Sequence, residues 1–85
     1  MKHAREDYNR IQDPAGLIPD EEPVMVFRGQ DIAAPAALRA YAVAAAAAGA
    51  SDQLVLSVLK HARAMEEWQR LVARKTPDLA TTIQR

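Results

Sequence analysis

Cysteine is absent from the 85-residue sequence, and only four side chains are phenylalanine, tyrosine or tryptophan. The absence of cysteine excludes disulfides, a thiolate nucleophile and a cysteine-ligated zinc site. Net charge is absent too, because 11 basic residues balance 11 acidic ones. A chain without excess positive charge is a poor candidate for a protein whose main task is to neutralise phosphates.

Long hydrophobic runs are also missing. The longest run, Ala42–Ala50, has nine residues, whereas a helix that spans a bilayer needs about 20. The first ten residues are polar and lack the apolar stretch of a secretory signal. These observations predict a soluble, cytoplasmic protein that does not enter a membrane.

Large apolar side chains are scarcer than the composition suggests. Hydrophobic residues make up 49% of the chain, but 18 of them are alanine, which contributes little energy on burial. A domain of this size also buries only a modest share of its surface. The sequence therefore predicts a thin core, which a partner protein or a second copy in a homodimer would help to complete.

The first third of the chain is rich in turn-forming residues. Pro14, Pro19 and Pro23 lie within ten residues and exclude a helix there. We expect an extended, proline-rich N-terminal arm, followed by one principal short β-strand at Val24–Arg28. Residues around 16–18, or another chain, would pair with this strand. The predicted organisation is a polar segment at 1–10, a single small α+β domain at 11–76 and a weakly ordered tail at 77–85.

Two helices are predicted to follow the strand. Pro35 suits the first turn of one helix, and Gly49 suits a left-handed turn that ends it. Ser51 suits the N-cap of a second helix that runs to about Lys75. The short link between the helices predicts an antiparallel helical hairpin, and the fold class is α+β. The predicted core consists of Ile18, Val26, Phe27, Leu38, Tyr41, Leu54, Val58, Met65 and Trp68.

The reactive side chains form no catalytic constellation. The two histidines are His3, in a segment expected to be frayed, and His61, on the second helix. Ser57 precedes His61 by four residues, but neither an orienting acid nor an oxyanion site accompanies the pair. No histidine or acidic cluster has the spacing of a zinc or calcium site. The sequence predicts a non-enzymatic protein that uses no metal and no cofactor.

A helix-turn-helix is the alternative interpretation. Ala45, Gly49 and Val55 have the spacing of the small residue, the turn glycine and the aliphatic residue of that motif. Asp52 and Leu56 would then lie on the side that faces DNA, where an acidic and a large apolar side chain are unfavourable. A small DNA-binding regulator is therefore the second hypothesis, behind a protein that binds another protein.

The residues expected to bind a partner protein fall into two groups. Carboxylates on the arm can imitate phosphates and steer association with a basic surface. On the second helix, leucines that point away from the predicted core lie among arginines, a composition found in binding surfaces. The predicted partner-binding residues are Asp20, Glu21, Glu22, Leu56, Arg63, Arg70 and Leu71.

Four short motifs stand in order along residues 11–31. They are Ile-x-Asp-Pro at 11–14, Ile-Pro at 18–19, Glu-Pro-Val at 22–24 and Arg-x-Gln-Asp at 28–31, with two helices and Trp68 after them. The pattern resembles that of small, uncharacterised proteins of bacterial genomes and temperate phages, over about residues 7–72. The resemblance implies no activity and no functional residue, but it implies a mobile-element accessory protein. The resulting hypothesis is a phage-derived inhibitor that occludes a host defence protein.

Overall fold

The computed structural model describes residues 1–79, so the tail predicted at 77–85 lies largely outside the described residues. The described chain forms two compact units. The first contains Met1–Val26 with Asp78 and Leu79, and the second is Phe27–Pro77. The fold is α+β, because the first unit carries a short two-stranded parallel sheet and the second carries two packed helices.

The sheet of the first unit pairs β1, Lys2–His3, with β2, Pro23–Val24. The strand predicted at Val24–Arg28 is therefore shorter and begins one residue earlier. Its partner is the N-terminal segment rather than residues around 16–18. The N–H of Ala4 donates to the Val24 carbonyl at 3.0 Å, and a 3₁₀ turn then begins at Glu6. Because the chain turns at Glu6, its pairing with β2 ends after Ala4.

Side chains near the N-terminus are held in place rather than frayed, which corrects the expectation for His3. His3 is 9% exposed, and its Nε2 lies 2.6 Å from the carbonyl oxygen of Ile11. Tyr8 is buried as well, and the Arg5 guanidinium lies 4.9 Å from the centre of its ring. Arg5 also forms a two-point pair with Asp7, at 2.9 and 2.7 Å. These contacts order a segment that the sequence presents only as polar.

Asp13 organises the turn that follows. Its carboxylate accepts hydrogen bonds from the N–H groups of Ala15 at 3.1 Å, Ile18 at 3.0 Å and Leu17. Burial opposes ionisation of this carboxyl, but the three N–H donors outweigh it and hold the pKa of Asp13 below its ordinary value. The Ile-x-Asp-Pro motif thus begins a turn in which the aspartate accepts hydrogen bonds from the backbone N–H groups of the residues that follow.

In the second unit, α1 spans Ala34–Ala47 and α2 spans Asp52–Leu71. The local signals at the start of both helices and at the end of α1 are confirmed. Pro35 occupies the first turn of α1, Gly49 has φ +90°, and the Ser51 hydroxyl accepts a hydrogen bond from the Leu54 N–H at 3.2 Å. Ahead of α1, the Asp31 carboxylate accepts from the Ala33 N–H at 2.8 Å.

The second helix ends at Leu71 rather than near Lys75. After it the chain extends and pairs with the segment that leads into α1. The Lys75 N–H donates to the Gln30 carbonyl at 2.7 Å, and the Ile32 N–H donates to the Lys75 carbonyl at 3.0 Å. These bonds require an extended backbone at residue 75, which a continued helix cannot provide.

The two helices form an antiparallel hairpin, as predicted. Arg39 of α1 and Glu66 of α2 make a two-point ion pair, with N–O distances of 2.8 and 2.7 Å. The hydrogen bonds with Arg39 outweigh the cost of desolvation and hold the pKa of Glu66 below its ordinary value. The short connection after Ala47 and this pair together fix the antiparallel direction.

The core of the hairpin is built from alanine, which corrects the predicted core. The buried apolar residues of the second unit are Ala34, Pro35, Ala42, Ala45, Ala62 and Met65. Of the nine residues predicted to be core, only Met65 is buried. The exposed ones include Tyr41 at 55%, Leu54 at 41% and Trp68 at 50%. Small side chains let the two helices approach closely, so the larger ones lie beside the contact rather than inside it.

Candidate functional site

One side of the hairpin carries most of its exposed aromatic surface. Arg39 and Glu66 bond to each other and so mark the opposite side. Two residues along an α-helix correspond to a turn of about 200°. Tyr41 and Trp68, each two residues further on, therefore lie together on the other side. Both side chains are about half exposed.

The same side of α2 carries an apolar seam with His61 in its middle. Five residues of the helix follow each other at spacings of four, three, four and three: Leu54, Val58, His61, Met65 and Trp68. This alternation is the repeat with which a helix packs along another helix. Met65 of this seam is buried and belongs to the hairpin core with Ala62, and Val58 is half buried, so the seam borders the contact with α1. Leu54 and Trp68 of the same seam remain 41% and 50% exposed.

A groove of about 310 Å³ lies between α2 and the loop that precedes α1. Gly29 of this loop lies against Trp68, because a Cβ at this position would be 3.6 Å from the indole Cδ1. Gln69 anchors the loop by donating from Nε2 to the carbonyls of Gly29 at 2.9 Å and of Asp31 at 2.8 Å. The groove is thus defined by a fixed loop and a helix face. Its lining residues are Phe27, Arg28, Gly29, Gln30, His61, Ala64, Met65 and Trp68.

The lining of this groove combines apolar and hydrogen-bonding side chains. Phe27, Met65 and Trp68 supply an apolar surface, and Arg28, Gln30 and His61 supply hydrogen-bonding groups. No carboxylate, serine or lysine lines the groove, so His61 has no partner there for proton transfer or nucleophilic attack. Among residues 1–79, no three histidine or acidic side chains come together to hold a metal ion.

The predicted acidic residues lie in the first unit. Asp20, Glu21 and Glu22 are all exposed, on the turn that leads into β2. A Glu21 carboxylate oxygen lies 3.7 Å from the Lys2 ammonium, and the Glu22 carbonyl accepts from the Lys2 N–H at 2.8 Å. The Lys2–Glu21 pair is highly exposed, so it contributes little stability and leaves the carboxylates accessible.

The predicted residues of the second helix lie on its outer part. Leu56 and Leu71 are each 65% exposed, and Arg63 and Arg70 are exposed as well. Arg70 donates to the Glu67 carboxylate one turn earlier. The sequence spacing had separated these residues from the core side correctly. Their role in binding a partner stays a prediction.

The groove itself was missed in the sequence. The sequence predicts Trp68 and Phe27 to be core residues and places His61 only on the second helix. The spacing of the seam on α2 is a usable signal for this face of the helix, since it is visible in the sequence without a structure. The approach of Gly29 to Trp68 joins residues that are distant along the chain, and no local pattern indicates it.

Comparison of the chain with family models, with curated proteins and with solved structures found no match. The described residues contain no helix whose length and apolar character would let it cross a bilayer. The groove and the exposed faces are the features of this chain that bear on its function.

Proposed function

We propose that this protein is a small non-enzymatic binding protein, which attaches to a partner protein through the groove beside Trp68. The observation that carries the proposal is the exposure of Trp68, the only tryptophan, at 50% in a fixed position against Gly29. Tryptophan, tyrosine and arginine dominate the binding energy of protein interfaces. Trp68, Tyr41 and Arg28 supply all three types on this unit.

The proposed partner presents an apolar helix. The seam through Leu54, His61 and Trp68 repeats with the period of helix-on-helix packing, and alanines of α1 beside it leave room for a close approach. One large apolar side chain of the partner would enter the groove. Arg28, Gln30 and His61 would form its polar rim.

The mode of action that we propose is occlusion, in which the bound protein covers a working surface of its partner. The exposed carboxylates Asp20, Glu21 and Glu22 would steer the chain towards a basic partner surface. The resemblance to small phage proteins fits this mode, because a protein that acts by covering a surface needs no active site of its own. A host defence protein is the partner class that we propose.

DNA binding is the second candidate, because Ala45 is buried, Gly49 is left-handed and Val55 is half buried, as the helix-turn-helix motif requires. The Arg39–Glu66 pair favours the first candidate. Along its helix, Arg39 lies about 12 Å from the turn, and Glu66 lies about 21 Å from it. Two helices that diverge as strongly as in that motif would place them too far apart to bond.

The test is capture of partners from an extract of the source cells, with and without nuclease, by the wild-type chain and by variants. Trp68→Ala and Phe27→Ala truncate the two aromatic walls of the groove. Val43→Ala is the control, since Val43 is 73% exposed on another side of α1. We expect one stoichiometric protein to be retained by the wild type and by the control. Loss of a central aromatic contact costs at least about 2 kcal/mol, or about 30-fold in affinity.

Thermal unfolding of each variant separates lost binding from lost folding. Retention of the partner by both groove variants would show that the groove is not the binding site. Recovery that depends on nucleic acid, or retention on duplex DNA at physiological salt, would support the DNA-binding candidate instead. Charge reversal at Asp20, Glu21 and Glu22 should slow association, and an unchanged rate would remove the arm from the mechanism.

A further inference from the structure

The outer side of α2 carries two leucines with a pair of opposite charges between them. At 100° per residue, Leu56, Lys60, Glu67 and Leu71 fall within an arc of about 60°. This arc lies on the far side of the helix from Ala62, which is completely buried. Leu56 and Leu71 are each 65% exposed and stand about 22 Å apart along the axis. We refer to these four residues as the outer face.

The outer face is symmetric about the point midway between Arg63 and Ala64. Lys60 and Glu67 are equally distant from this point along the sequence, and so are Leu56 and Leu71. Reversal of the helix therefore exchanges leucine with leucine and places the base where the acid was. This is the pattern of a surface that is complementary to itself under a two-fold rotation.

We propose that the outer face is the interface of a homodimer, in which α2 packs against α2 of a second copy in the antiparallel direction. Leu56 of each copy then faces Leu71 of the other, and Lys60 faces Glu67. The dimer contains two such ion pairs between two leucine pairs. A parallel arrangement would place Lys60 against Lys60 and Glu67 against Glu67, and repulsion disfavours it.

Three neighbouring residues fit this arrangement. Ala64 and Arg63 lie on either side of the two-fold axis: the small side chain of Ala64 lets the helices approach closely on one side, and the exposed Arg63 extends towards solvent on the other. Arg70 donates to Glu67 within its own chain, and Glu67 can accept from Lys60 of the second copy as well, because a carboxylate accepts several hydrogen bonds. The four leucines cover one another, which removes the most exposed apolar surface of the outer part of α2.

The test uses two charge variants, Lys60→Glu and Glu67→Lys, measured by sedimentation equilibrium from micromolar to millimolar concentration. The wild type should show a reversible monomer–dimer equilibrium. Each variant alone places like charges against each other twice, so its dimer should be at least about tenfold weaker. An equimolar mixture of the two variants restores opposite charges at both positions. The mixture should therefore associate as strongly as the wild type.

The mixing experiment is its own folding control, because variants that had failed to fold could not associate when combined. Circular dichroism of each variant checks the helices directly. A wild type that remains monomeric throughout the range overturns the proposal. So does a dimer that both charge variants leave unchanged, or a mixture that stays as weak as its components. Ala64 borders both surfaces, but the groove variants Trp68→Ala and Phe27→Ala change no residue of the outer face. They should dimerise normally, which separates dimerisation from partner binding.

Discussion

Replacement of Ala62 by leucine should destabilise the hairpin strongly, because the contact between α1 and α2 is built from alanine. Ala62 has no exposed surface, and Ala42 and Ala45 on α1 are 2% and 8% exposed. Because Ala62 is completely enclosed, the added atoms should push the helices apart or force the side chain from its preferred rotamer. Overpacking of this kind costs about 1–3 kcal/mol. In a chain of this length each kcal/mol corresponds to about 4–8 °C in melting temperature.

The assay is thermal unfolding followed by far-ultraviolet circular dichroism, which reports on the two helices of the second unit. Ala40→Leu is the matched control, since it makes the same change on the same hairpin at an exposed position of α1. The control should melt close to the wild type, because leucine is nearly as good a helix former as alanine. If Ala62→Leu had the same melting temperature as Ala40→Leu, the helices would not be held at close distance, and an alanine core would be the wrong description.

Two further predictions concern the turn and the ion pair. Gly49→Ala should lower the stability by about 1 kcal/mol, and with it the melting temperature, because φ is +90° at this position. No neighbouring atom obstructs a Cβ there, so the cost comes from the backbone alone. Gly29→Ala, whose Cβ would make ordinary contact with Trp68, should cost less. Glu66→Gln should lower the melting temperature at neutral pH, because Arg39 lowers the pKa of Glu66 in the folded state. This contribution to stability is present above the unfolded-state pKa of Glu66 and disappears as the pH falls through its folded-state pKa. The melting temperatures of the wild type and of Glu66→Gln should therefore converge in acid. A difference that does not depend on pH would refute the electrostatic explanation.

The ends of the helices could be predicted from the sequence because their determinants are local. Pro35, Gly49 and Ser51 each act through the backbone of their immediate neighbours, and each has the predicted role. The end of α2 was predicted less well for the opposite reason. Lys75 is drawn into an extended segment by hydrogen bonds with Gln30 and Ile32, more than 40 residues earlier.

Burial was the least predictable property, because it was judged from side-chain size. Tyr41 and Leu54 are large and apolar and have helical spacing, so they were assigned to the core. In a hairpin of alanine-rich helices the closest contact excludes large side chains, and residues such as Ala42 and Ala62 occupy it instead. The groove depends on the same close contact between alanine-rich helices. A wider gap between the helices would take Trp68 into the core, whereas the narrow contact leaves it at the edge.

The alanine core also changes what stabilises the hairpin and what remains for binding. A buried alanine contributes only about as much as one methyl group, roughly 0.8 kcal/mol, against about 1.5–3 kcal/mol for a large apolar side chain. Alanine compensates through its helix propensity, the highest of all residues, so α1 keeps its conformation without a large buried surface. Trp68, Tyr41 and Leu56 are then not required to hold the two helices together. They can remain exposed on rigid helices at fixed positions, which lowers the entropic cost of binding, since little must be ordered when a partner or a second copy arrives.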